Sequence, residues 1–182
     1  MTAYQRNDKG EWEAVWEPFP VVVGKNGMAC IKREGDGCSP VGYFPLVQAF
    51  GMEQAPSVTM PYLSIKGLEG VDDPDSRYYN RLVHSSTITD RDWESAEQME
   101  KYAVEYTWGV VVGYNWETPK PHAGSCIFLH VWEEPTRGTA GCTAMDLEMM
   151  RKLVFWLNPA KHPHLLQAPE DIYKEMRSVE VP

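Results

Sequence analysis

Several features that identify membrane or nucleic-acid-binding proteins are missing from this sequence of 182 residues. No apolar run reaches the roughly 18 residues that a membrane-spanning helix needs. Acidic residues outnumber basic ones, 26 Asp and Glu against 17 Lys and Arg, and a net charge of −9 argues against binding to nucleic-acid phosphates. The first twenty residues are charged and lack the apolar core of a signal peptide. We therefore expect no membrane span and no nucleic-acid partner.

Cysteine is also scarce, with four residues in the chain. Cys30 and Cys38 flank a stretch of glycine and charged residues, which is typical of a chain reversal. Facing each other across a hairpin in an oxidising compartment, they would form a disulfide, and Cys126 would remain an inert thiol in an apolar strand. The alternative is that all three are small core residues.

The residues that are present suit a packed domain, since 43% are hydrophobic and 12% are aromatic. A chain of this length forms one domain by default, here residues 1–182, with 1–19 as an N-terminal edge and 160–182 as a C-terminal extension. Short β-type runs separated by Gly and Pro turns predict strands over residues 12–16, 21–24, 28–32, 43–47, 109–114 and 126–131. Helices are predicted over residues 92–102, 146–157 and 170–176. The predicted fold class is mostly β with a few helices.

The most informative segment places a histidine shortly before a cysteine. Residues 127–129 are apolar and predict a buried strand, so His130 lies where a strand delivers its side chain to a sheet edge. Cys142 follows twelve residues later in a turn of small residues, just before a predicted helix. A thiol with a base within reach is what acyl transfer by covalent catalysis requires. We therefore expect Cys142 to be the nucleophile and His130 its base; the alternatives are a buried cysteine and a structural histidine.

This segment resembles the catalytic motif of the YkuD-type L,D-transpeptidases, in which a histidine precedes Ser/Thr-His-Gly-Cys. His130 matches the first histidine, Thr139 the Ser/Thr, and Gly141 and Cys142 the final pair. Ala140 replaces the second histidine, and a divergent branch of the family is therefore indicated.

A second block supports the resemblance, because residues 36–44 contain Ser39-Pro40-Val41-Gly42-Tyr43-Phe44, which is similar to the family's Thr-Pro-x-Gly-x-Phe element. The resemblance covers roughly residues 20–160 and implies a β-sandwich or barrel-like catalytic domain. It also implies an envelope or periplasmic location, so we expect a trimmed chain whose export segment is missing. Tyr79 and Asn80 are expected near the substrate cleft on the resemblance alone.

Further roles follow from the residue types around the cysteine. The backbone N–H groups of Gly141 and Cys142 suit an oxyanion hole, and the start of the 146–157 helix offers a positive end behind the sulfur. Thr139 either bonds the oxyanion region or holds the turn. Arg137 either binds a substrate carboxylate or is a solvated loop residue. Trp132 either lines a groove or is a partly buried core residue.

The resemblance implies a peptidoglycan transpeptidase that acylates Cys142 with a stem tetrapeptide, releases the terminal D-amino acid and transfers the acyl group to an amine. An L,D-carboxypeptidase or amidase of the same mechanism and a catalytically silent wall-binding module remain alternatives. The expected partners are peptidoglycan stem peptides and the expected state is a monomer. No cofactor or metal is needed, and the spacing of His122, Cys126 and His130 in a strand is too long for one zinc ion.

Overall fold

The computed structural model describes residues 1–54 and 56–178. The strands are β1 Tyr4–Arg6, β2 Trp12–Ala14, β3 Met28–Ala29, β4 Ser39–Pro40, β5 Gly42–Gly51, β6 Tyr62–Ser64, β7 Leu68–Val71, β8 Leu82–His84, β9 Ala96–Gln98, β10 Trp108–Val112, β11 Phe128–Val131, β12 Thr143–Met145 and β13 His164–Gln167. The α-helices are α1 Leu147–Trp156 and α2 Glu170–Ser178, and short 3-10 turns cover Ser85–Thr87, Met99–Tyr102 and Pro159–Lys161. The prediction of a mostly β domain with a few helices is confirmed.

The main sheet has six strands, in the order β12-β11-β10-β5-β13, with β6 paired to β5. Its centre forms because β10 is a continuous apolar run and every residue of β11 is buried, which suits strands covered on both faces. β10 pairs antiparallel with β5 and β11, whereas β11 and β12 run parallel, with Leu129 opposite Thr143 and His130 opposite Ala144. The strand carrying His130 therefore lies beside the strand that follows Cys142.

Alternation along the strands divides the core between the two faces of the main sheet. On the first face, Leu129, Val131 and Met145 pack with Met150 and Val154 of α1. On the second face, side chains from β5, β10, β11 and the segments around β7 and β9 form another cluster, namely Phe50, Ile65, Leu68, Met99, Tyr106, Val111, Phe128 and Cys142. The candidate nucleophile thus lies on the face opposite α1.

Helix α1 forms as predicted, because Asp146 caps it by accepting a hydrogen bond from Met149 N at 2.9 Å. Its buried residues Met150, Leu153 and Val154 follow helical spacing. The predicted helix over residues 92–102 is wrong. Residues Ala96–Gln98 form β9, which pairs with β7, and the backbone partners offered by that strand outweigh local helix propensity.

The segment predicted as a strand over residues 21–24 forms no strand, but isolated bridges join Val22 to Ala144 and Gly24 to Thr139 beside the candidate site. Within the region predicted as a C-terminal extension, His164–Gln167 form β13, which pairs with β5 as an edge strand of the main sheet. The Gln167 side chain also donates a hydrogen bond to Pro40 O at 2.8 Å. Segments that precede and follow the motif residues in the sequence therefore pack against them.

The predicted Cys30–Cys38 disulfide is not formed, and all four cysteines are free thiols in this structure. The hairpin on which the disulfide depended is wrong, because β3 and β4 pair in parallel, with Met28 opposite Ser39. In that register Cys30 and Cys38 are not cross-strand neighbours. Cys38 Sγ instead points to the carbonyl oxygens of Asn26 and Asp36, while Cys30 is exposed.

Among the helices of the described residues, none has the length and apolar character to cross a membrane.

Candidate active site

The sulfur of Cys142 is enclosed by the segment that leads into β11. Phe128 N donates a hydrogen bond to Cys142 Sγ at 3.3 Å, and the thiol points to Cys126 O at 3.4 Å. Cys142 is only 8% exposed, and burial raises the pKa of its thiol to about 12, with the Glu97 carboxylate adding to the rise. The Phe128 N–H and the Lys32 ammonium act in the opposite direction. The resting thiol is therefore protonated at neutral pH, and it would need a base to act as a nucleophile.

His130 lies on the same face of the main sheet as Cys142. Phe128 packs in one cluster with Cys142 and donates its backbone N–H to the sulfur, and side chains two residues apart along a strand share a face. Tyr106 connects the two positions, since its ring packs edge-on against Phe128 at 5.8 Å and against His130 at 5.5 Å between centroids. The histidine and the cysteine predicted from the sequence thus lie on one face of the main sheet, with Tyr106 packed against both Phe128 and His130.

The hydrogen bond of the imidazole determines which nitrogen is available as a base. His130 Nδ1 lies 2.7 Å from Val131 O, and a carbonyl oxygen only accepts, so Nδ1 carries the hydrogen. Nε2 then holds the free lone pair. Burial lowers the pKa of His130, which keeps the ring neutral and able to take a proton at neutral pH.

The turn before the cysteine is held by two hydroxyl groups. Thr139 Oγ1 donates to Cys142 O at 2.6 Å and accepts from Gly141 N at 3.1 Å. Ser39 Oγ donates to the same Cys142 carbonyl at 3.0 Å and accepts from Gly24 N at 2.9 Å. Of the two roles weighed for Thr139, the structure supports holding the turn. The Gly141 N–H is already engaged, so the expectation that it serves as a free oxyanion donor is corrected.

Gly141 is required by its backbone conformation and by its neighbour. Its φ of +152° is one that L side chains rarely adopt, and a Cβ added there would lie 2.9 Å from Cys38 O. We expect Gly141→Ala to lower the free energy of unfolding by about 1–3 kcal/mol, measured by urea unfolding. Gly67→Ala is the control, because its φ is +68° and a Cβ there meets nothing within 4 Å. An equal loss in both variants would exclude the contact with Cys38 as a cause.

Tyr79 and Asn80 are buried and hold the loop that precedes β11, which we name the 115–126 loop. Asn80 Nδ2 donates to Asn115 O at 2.6 Å, and Asn80 Oδ1 accepts from Cys126 N at 2.9 Å. Tyr79 Oη accepts from Gly124 N at 3.1 Å. These bonds position the Cys126 carbonyl against the sulfur, so the two residues act by supporting the site; their contact with substrate stays a prediction.

Other predicted contributors lie farther from the sulfur. Arg137 is exposed and forms an ion pair with Glu133, which agrees with the solvated-loop alternative. Trp132 is partly buried just after β11, and its backbone N–H donates a hydrogen bond to Met145 O at 2.8 Å. The start of α1 does not lie behind the sulfur, since β12 intervenes and α1 packs on the opposite face. The helix dipole is therefore not part of the activation.

Four residues near the site were not predicted as site residues: Glu97, Tyr106, Ser39 and Lys32. The Tyr106 hydroxyl donates to Glu97, and burial raises the pKa of both groups. The mistaken helix over 92–102 concealed Glu97. Ser39 did carry a signal, because it belongs to the Ser-Pro-x-Gly-x-Phe block. Lys32 carried none, since lysine is rarely buried.

The spacing argument against a metal assumed a regular strand, and the segment is irregular, with φ of +63° at His122 and +54° at Cys126. Within residues 1–54 and 56–178, no three His, Cys, Asp or Glu residues are grouped so as to hold a metal ion.

The family model of the YkuD L,D-transpeptidase catalytic domain matches residues 1–166 of the chain. The protein belongs to this family. Neither the curated proteins nor the solved structures contain a match to the chain. Members of the family are cysteine-dependent transpeptidases that act on peptidoglycan and are generally associated with the cell envelope. The match spans the N-terminal edge, the motif region and most of β13.

Proposed function

We propose that this protein is a peptidoglycan L,D-transpeptidase in which Cys142 forms the acyl-enzyme and His130 transfers the protons. The observation that supports the proposal is that Cys142 packs beside Phe128, whose side chain lies on the same face of β11 as that of His130. The family assignment makes peptidoglycan the substrate class. The neutral imidazole with its free Nε2 supplies the base that a buried, protonated thiol needs.

In the first half of the reaction, His130 Nε2 takes the thiol proton as sulfur attacks the amide carbonyl before the terminal D-amino acid of a stem tetrapeptide. The carbon–nitrogen bond breaks, and the imidazolium returns the proton to the leaving amine. In the second half, the side-chain amine of another stem attacks the thioester. That amine gives its proton to His130, an amide forms, and the sulfur leaves and regains the proton.

Attack requires the carbonyl carbon to come within about 3–3.5 Å of the sulfur. In this structure the Cys126 carbonyl oxygen lies 3.4 Å from Cys142 Sγ, and Cys142 is buried. The 115–126 loop must therefore shift when the peptide binds. Because Asn80 and Tyr79 bond that loop, their hydrogen bonds are the ones expected to change.

The test is mass spectrometry of purified tetrapeptide muropeptides after incubation with the wild-type protein. We expect cross-linked dimers that lack one terminal D-amino acid, since an amine competes with water for the thioester. Tripeptides without dimers would instead establish an L,D-carboxypeptidase or amidase of the same mechanism. No product and no acyl adduct on the Cys142 peptide would overturn the catalytic proposal and leave a silent wall-binding module.

A further inference from the structure

Lys32 is a charged residue buried beside the candidate nucleophile. Its side chain is only 3% exposed. Lysine side chains are almost never fully buried unless they are paired, because removing an ammonium from water is costly. The burial of the Lys32 ammonium must therefore be compensated by the groups around it.

Lys32 lies against two glycines, Gly124 of the 115–126 loop and Gly141 of the turn before Cys142. A Cβ added to Gly124 would lie 3.0 Å from Lys32 Cε, and one added to Gly141 would lie 3.6 Å from Lys32 Nζ. The ammonium therefore lies against the backbone of the residue that precedes Cys142. Side chains at either glycine would compete with it for this space.

The ammonium is held in place by short hydrogen bonds. Lys32 Nζ donates to Asp36 Oδ1 and to Cys38 O, both at 2.6 Å. An ammonium has three N–H groups, so these two bonds leave one for the reacting centre. Asp36 accepts further bonds from Arg33 N and Cys38 N, at 2.9 Å each, which fixes the ion pair rigidly.

The other titratable groups named around the sulfur are neutral or negative, so none of them stabilises a thiolate by its charge. Glu97 is the carboxylate that disfavours the thiolate, and Tyr106 and Cys126 stay protonated because burial raises the pKa of each. His130 is neutral, because burial lowers its pKa. Lys32 is thus the fixed cation that acts on Cys142.

We propose that Lys32 is a positioning residue whose ammonium, placed against Gly141, stabilises the negative charge that develops on Cys142 during acyl transfer. That charge is first on the thiolate and then, after attack, on the anionic tetrahedral intermediate; the second part rests on the proposed function. The bound Asp36 tunes the effect, because it neutralises part of the ammonium's field.

The thiolate part is tested by the rate of Cys142 alkylation with iodoacetamide at pH 7 to 9, followed as the modified peptide by mass spectrometry. Below its pKa, this rate is proportional to the thiolate fraction. We expect Lys32→Met to slow alkylation about tenfold, the effect of one pKa unit, and Lys32→Arg to stay within about threefold of wild type. Asp36→Asn, which keeps an oxygen for Lys32 Nζ, is expected to speed alkylation.

Lys25→Met is the matched control, because Lys25 is an exposed lysine whose backbone N–H donates to Thr139 O at 2.8 Å, in the turn that contains Gly141. Equal slowing in Lys25→Met and Lys32→Met, equal slowing in Lys32→Arg and Lys32→Met, or no slowing at all would overturn the proposal. If Lys32→Met does not fold, as judged by urea unfolding, Asp36→Asn decides by the direction of its change: faster alkylation supports the role, and an unchanged or slower rate overturns it. Because alkylation needs no peptidoglycan, its result is independent of whether the protein proves to be a transpeptidase.

Discussion

Replacing Cys142 with alanine is expected to abolish both cross-linked dimers and the acyl-enzyme, with kcat falling by about 10³-fold or more. The reason is that covalent transfer needs the sulfur itself, and neither His130 nor a water molecule can store the acyl group. The measurement is the rate of dimer formation from tetrapeptide muropeptides, together with the mass of the intact protein after exposure to a carbapenem. The variant should show neither product nor adduct.

Two further variants separate chemistry from folding. Cys142→Ser replaces the sulfur with a hydroxyl that can still bond Phe128 N and Cys126 O, so its fold is expected to persist while activity is lost. Cys30→Ala removes an exposed thiol and is expected to leave the rate unchanged. Dimer formation by Cys142→Ala at more than a tenth of the wild-type rate would assign the nucleophile elsewhere.

Replacing His130 with asparagine is expected to lower kcat by about 10²- to 10⁴-fold, the usual contribution of a general base. Asparagine suits this test because its amide N–H can take over the Nδ1 hydrogen bond to Val131 O, while the basic Nε2 is lost. The variant should therefore unfold in urea close to wild type. A variant that is both inactive and strongly destabilised would instead indicate a structural histidine.

The pH dependence of kcat/KM gives an independent measure of the same residue. Burial lowers the pKa of His130, so the imidazole stays neutral to a lower pH than an exposed histidine does. Activity is expected to fall only below pH ~6.5, the ordinary histidine pKa, as the base becomes protonated. The Cys142 pKa of about 12 keeps the thiol protonated across the neutral range, so the wild-type profile should show a plateau there. In His130→Asn, the fall of kcat/KM at low pH should disappear.

Much of the fold was predictable because its signals are local. The apolar run at 127–129 predicted the strand that carries His130, and helical spacing with Asp146 as the cap predicted α1. The order of His130, Thr139, Gly141 and Cys142 predicted the family, which the match over residues 1–166 confirms. These features depend on neighbours a few residues away, and the sequence displays such neighbours directly.

The errors arose where distant segments compete with local preference. Residues 96–98 form a strand because β7 supplies hydrogen-bond partners, although they read as helix by themselves. Cys30 and Cys38 were expected across a hairpin, yet β3 and β4 run parallel. The Gly141 N–H was expected to be free, yet the Thr139 hydroxyl two residues earlier takes it.

By itself, then, the sequence determined the mostly β composition, the strand and helix on either side of the motif, and the thiol and imidazole that we propose carry its chemistry. Only the tertiary structure decided the environment in which they react. It enclosed the sulfur under the 115–126 loop, kept His130 neutral and brought Lys32 against Gly141. Burial and long-range contacts set these protonation states. The free energy of a charged side chain depends on all the groups packed around it, and the order of residues in the sequence does not show which groups those are.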